Sequence, residues 1–127
     1  MRDWPQESEL PGAVGPGWLP LLDRLWTDLR ALDPTIRLRQ VKEKLGGLRV
    51  YVVCSPGVEP AETRRLIDAT CKEAKQTCEL CAGPGVVTRF GGLWKCVCVE
   101  HGELTAGELL VALQGGEWKS SEMSTLR

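Results

Sequence analysis

The sequence predicts an α+β fold: an N-terminal helix, a β-hairpin, a long helix, then a treble-clef-like metal finger with a short hairpin and a C-terminal helix. Three patterns carry this expectation. Helical apolar spacing recurs in two separate stretches, two strand-like segments flank paired glycines, and two short Cys/His pairs bracket a second hairpin signal. A chain of 127 residues has length for one domain with one core. Residues 17–114 are expected to form it, between an irregular arm at 1–16 and a mobile tail at 115–127.

The first helix is expected over Gly17–Leu32. Trp18, Leu22, Leu25, Leu29 and Leu32 fall at i, i+4, i+7, i+11 and i+14, and Leu19, Leu21 and Trp26 widen the stripe. Asp33-Pro34 stops it. Ile36–Cys54 reads as a hairpin turning at Gly46-Gly47. Ile36, Leu38, Leu48, Val50 and Val52 alternate with polar residues, and a phase slip near Gln40-Val41 calls for a β-bulge. Its second strand, apolar on both faces near Tyr51 and Val53, is expected to be the better buried. Ser55–Glu59 is a loop, and Pro60 opens a helix to about Thr77 with Ile67, Cys71, Ala74 and Cys78 on one stripe. A second hairpin joins Val86–Phe90 to Leu93–Val97 through Gly91-Gly92. Thr105-Ala-Gly-Glu108 is a capping-box pattern opening a helix through about Leu113.

The chemistry sits in the cysteines. Six in a chain this short could mean disulfides, yet Met1–Leu10 lacks the basic start and apolar stretch of a signal peptide, so secretion is not expected. Cys78-Glu-Leu-Cys81 and Cys98-Val-Glu-His101, with residues 82–97 between them, fit a tetrahedral Cys3His zinc site, and His101 is the sole histidine. Each tight pair aims two ligands at one point, and the second pair completes the tetrahedron. Cys96 competes for the fourth position, since strand residues 96 and 98 share a face. Cys54 and Cys71 read as small buried hydrophobes.

Gln40–Val52, with Thr77–Gly85 and Gly92–His101, resembles a group of small zinc-binding proteins of bacteria, phages and prophages. Those proteins carry a QVKEKxGxLRxYV-like hairpin before a CxxC and a CxxH/C pair. The resemblance spans roughly Gly17–His101 and brings no established activity. It implies Cys78, Cys81, Cys98 and His101 as ligands and Cys96 as a bystander, because Thr is more usual there. Leu45 stands where an aromatic residue is common.

Sixteen basic against seventeen acidic residues give a net charge of -1, which argues against a strongly basic nucleic-acid coat. No apolar run is long enough to span a membrane, and a cytoplasmic location is expected. A closed Cys3His site points away from catalysis, and the sequence carries no phosphate loop or nucleophile elbow. The expectation is a non-enzymatic module stabilised by one structural Zn2+. Its partner is expected to be an unidentified protein, with an inhibitor, immunity or anti-defence role of mobile-element or phage origin. Arg37, Arg39, Lys42, Lys44 and Arg49 crowd the first hairpin. They are a candidate binding surface, and nucleic acid is the alternative partner through hairpin 36–53.

Overall fold

The structure, a computed structural model, describes residues 14–115. Most of the predicted arm and tail therefore lies outside the described residues. A 3-10 turn at Pro16–Trp18 leads into helix α1, Leu19–Leu32. Its buried face is Leu21, Leu22, Leu25, Trp26 and Leu29, the widened stripe the spacing predicts. Leu32, expected on that stripe, is 39% exposed because the last turn passes the edge of the core. Asp33 ends the helix in extended backbone, and its carboxylate accepts the Ser55 N–H at 2.9 Å, tying the end of α1 to the end of the hairpin.

Strands β1 (Arg37–Lys44) and β2 (Gly47–Val53) form an antiparallel pair. The turn is Leu45-Gly46, one residue before the expected Gly46-Gly47, and Lys44 pairs with Gly47. Both turn residues have positive φ, 54° and 83°, as a two-residue primed turn requires. The bulge falls between Leu38 and Gln40, slightly earlier than the phase slip suggested. The extra residue, Arg39, brings Leu38 and Val41 to the same face, on which Leu48, Val50 and Val52 also lie. Tyr51 and Val53 are 45% and 40% exposed, so the end of β2 is buried on one face and not on both.

Helix α2 is Pro60–Ala74, with the Glu59 carboxylate accepting the Ala61 N–H. It ends three residues earlier than predicted, as Gln76 and Thr77 donate to Glu73 and Ala74 in tightening turns. Cys78 is therefore off the helix stripe. The second hairpin pairs β3 (Val86–Phe90) with β4 (Leu93–Val97), at the predicted bounds. A 3-10 turn at His101–Glu103 precedes helix α3, Ala106–Gly115. Its capping box is reciprocal: the Glu108 N–H donates to Thr105 Oγ1, and the Thr105 N–H donates to Glu108 Oε1.

Buried residues fall into two clusters. The larger joins Trp18 and the α1 stripe to Val41, Leu48, Val50, Ala74 and Cys96. The smaller joins Cys78, Leu80, Val97, Leu104, Leu109 and Ala112. Strand β4 divides them, because its successive residues Cys96 and Val97 point to opposite sides. Cys54 and Cys71 are only half-buried, so neither is the enclosed hydrophobe expected of it.

Candidate metal centre

The structure brings Cys78, Cys81, Cys98 and His101 together, their ligand atoms all within 4.8 Å of one another. Cys81 Sγ lies 3.8 Å from Cys98 Sγ, and His101 Nδ1 lies 3.4 Å from Cys78 Sγ and 3.2 Å from Cys98 Sγ. The two sulfurs are far outside the ~2.05 Å of a disulfide. Such a set can hold a metal ion.

The first pair sits in a knuckle whose backbone closes on itself. The Cys78 N–H donates to Gly83 O at 2.7 Å, and the Ala82 N–H donates to Cys78 O at 3.0 Å. Ala82 takes the left-handed φ of 70° that this closure needs. Gly85 passes so close that an added Cβ would lie 2.7 Å from the Cys78 nitrogen, so glycine is required there. The second pair starts just past β4, with Cys98 outside the strand. Its pair is closed by a turn, the Gly102 N–H donating to Cys98 O at 2.8 Å.

The segment before α1 is laid across the knuckle. The Gly17 N–H donates to Glu79 O at 2.7 Å, and the Trp18 indole donates to Thr77 O at 2.9 Å. A Cβ on Gly17 would stand 2.2 Å from the Cys78 carbonyl oxygen. Val14 to Pro16, placed by the sequence in an irregular arm, thus belong to the packed structure. The Gly15 N–H, which donates to the Glu79 carboxylate, fastens them directly.

Cys96 stands outside that set. Its thiol donates to Lys75 O at 3.2 Å, on the side of β4 facing the larger cluster. Burial pushes that thiol up to about 11, so it stays protonated at neutral pH. Burial also pushes the Cys81 thiol up to about 12, helped by Cys78 and Cys98 and opposed by the Gly83 N–H. Without a cation the Cys81 thiol therefore carries a proton that a metal ion must displace.

Two residues beside the cage escaped the sequence reading as a pair. Glu79 is buried, and its carboxylate accepts the Gly15 N–H at 3.0 Å, so it turns away from the ligand set. Burial raises its pKa, while the Lys95 ammonium, 3.9 Å away, opposes the rise. Glu79 Oε1 has no hydrogen bond and relies on that ammonium. Lys95 also holds Glu43 at 2.7 Å, with only 10% and 14% of the two side chains exposed. Glu43 in turn accepts the Gly46 N–H, so the tip of the first hairpin is pinned to β4. In the sequence, Glu43 is the one acid of hairpin 36–53, among its cations. Of those cations, Arg37, Arg39, Lys44 and Arg49 are exposed and Lys42 is half-buried opposite Arg49.

No family model, curated protein or solved structure matches the chain. The site therefore stands on its own geometry. Among the described residues no helix is long and apolar enough to cross a membrane.

Proposed function

We propose that the protein is a non-enzymatic, protein-binding module whose C-terminal half is a treble-clef-like finger around one structural Zn2+. The observation that carries this reading is the four-ligand cage. Three thiolates and one imidazole are the donors that select zinc in structural sites. A tetrahedral zinc ion with bonds of about 2.3 Å to sulfur and 2.0–2.1 Å to nitrogen needs S···S edges of about 3.8 Å and S···N edges of about 3.6 Å. Three of the six separations, 3.8, 3.4 and 3.2 Å, lie close to these edges, and all six are within 4.8 Å.

Four protein ligands leave no position for substrate, and the chain's one histidine is used as a ligand. Both support a binding role, and the near-balanced charge supports a protein partner. The exposed Arg37, Arg39, Lys44 and Arg49 favour nucleic acid as the second reading.

Mass spectrometry of the native protein should find one zinc per chain, with Cys78, Cys81 and Cys98 shielded from a thiol reagent until chelation. A Cys78→Ser protein that keeps full metal content and Tm would refute the site. Binding to partner proteins should survive a rise in salt, whereas phosphate contacts would weaken steeply.

A further inference from the structure

The first sheet has only two strands, so β2 keeps a free edge. In a hairpin closed by the Lys44–Gly47 pair, hydrogen-bonded and non-bonded positions alternate from the turn. Leu48, Val50 and Val52 are the non-bonded positions, and their N–H and C=O groups point away from β1. Among the described residues no other backbone segment bonds to them. Beside this edge runs α2. The groove between them comprises two adjoining cavities of about 520 and 400 Å3, sharing Val50, Tyr51, Ile67 and Asp68.

The groove has two chemistries. Its inner wall carries Ile67 and Cys71, half-buried and apolar. Its rim carries Lys44, Arg49, Lys72 and Lys75, all exposed, against the single acid Asp68. Among the described residues none of these four cations has a salt-bridge partner. Leu45 stands at one end, 66% exposed and at φ 54°, where Asn or Gly would turn the chain with less strain. An apolar side chain held in the open on strained backbone adds apolar surface to the end of the groove.

We propose that β2 and α2 form a docking groove for an extended acidic segment of a partner protein, which adds to the free edge as a third strand. Main-chain hydrogen bonds to Leu48, Val50 and Val52 would supply the register. Alternate side chains of the segment then face opposite ways. One set meets Ile67 and Cys71, and the other set, acidic, meets Arg49 and Lys44 on the outer face, while Lys72 and Lys75 attract the segment as a whole. The groove deepens the protein-binding reading and rests on it.

The test uses the full-length, metal-loaded protein and a fluorescein-labelled peptide of alternating Glu and Val, seven residues long like β2. Amide NMR should show the largest shifts at Leu48, Val50 and Val52 at peptide concentrations up to about 1 mM, the weak end of recognisable affinity. The same peptide methylated on every backbone nitrogen should not bind, and a Lys/Val peptide should bind less. Reversing two charges, Lys72→Glu with Lys75→Glu, should weaken the acidic peptide by about tenfold. Val52→Pro removes an outward N–H while sparing the ladder to β1, and should abolish binding with metal content unchanged. No shift at those amides, or equal binding of the methylated peptide, overturns the groove. A partner protein still captured by the charge-reversed and Val52→Pro proteins would overturn the groove and leave the protein-binding reading standing. Preferential binding of single-stranded oligothymidylate with steep loss in salt would overturn both.

Discussion

The two halves of this molecule are held together by different physics. The first, α1 with β1–β2 and α2, buries a continuous apolar cluster that includes Trp18, Leu22, Leu25 and Leu29. The second, from Thr77 to α3, has a smaller cluster and two short strands, which would be marginal by themselves. It carries instead the Cys/His set that can hold a metal ion, and the backbone closures of the knuckle. An apolar core spreads its stabilisation over many interchangeable contacts, whereas a cage concentrates it in a few atoms. The halves are joined by the buried Glu43–Lys95–Glu79 group and by the Gly15–Trp18 segment over the knuckle.

The contrast can be broken most completely by chelation. Structural zinc in small fingers contributes about 10–16 kcal/mol, as much as an ordinary domain's whole stability of about 5–15 kcal/mol. Hydrogen exchange should show amides of 77–104 losing protection on chelation while those of α1 and β1–β2 retain more of theirs. Equal loss everywhere would show that the first half does not stand alone.

Lys95→Met should cost about 3–5 kcal/mol, because it strands two buried carboxylates without their counter-charge. Urea unfolding of Lys95→Met, Glu43→Gln and the double variant should show strong coupling, with the double less damaged than the sum. Additive losses would mean that the pair does not join the halves.

Leu22→Ala, in the larger cluster, should cost about 2–5 kcal/mol and leave metal stoichiometry unchanged. Loss of metal in that variant would erase the distinction between the halves. Leu45→Asn should raise stability by about 1 kcal/mol, since it relieves a left-handed leucine. A thermal melt in which Leu45→Asn is the less stable protein would place that leucine in the fold and not at a surface.

The smallest effect is electrostatic and lies in the first half. The Ser55 N–H beside Asp33 holds its carboxyl below the usual range, with the Ser55 hydroxyl and the Thr35 N–H adding to it. Asp33 therefore contributes stability that is present above its unfolded pKa of about 3.9 and is lost as pH falls through the lower folded value. Asp33→Asn should flatten the acid limb of the stability–pH curve. An unchanged limb would show that the α1–hairpin tie does not matter.

The periodic elements were legible because their signals are local. The α1 stripe, both strands of the second hairpin and the Thr105–Glu108 capping box lie where spacing and residue type place them. The candidate ligands were legible for the same reason, since two tight pairs constrain geometry at short range. The first turn was misplaced by one residue because glycine is the usual bearer of positive φ, and here leucine takes the first such position. The end of α2 was overrun because Cys78 continues its stripe by coincidence. Alternation puts residues 96 and 98 on one face only while a strand continues, and β4 ends at Val97, so Cys96 and Cys98 part.

By itself the sequence determined the helices, the strands and the candidate ligand residues, because backbone preference, apolar period and pair spacing act between near neighbours in the chain. Only the tertiary structure decided that Lys95 lies between Glu43 and Glu79, that Cys96 donates to Lys75 O, and that Gly17 must lie flat against Cys78. Those contacts join residues far apart in the sequence, and they exist only after two packed halves bring buried charges, thiols and backbone within reach of one another.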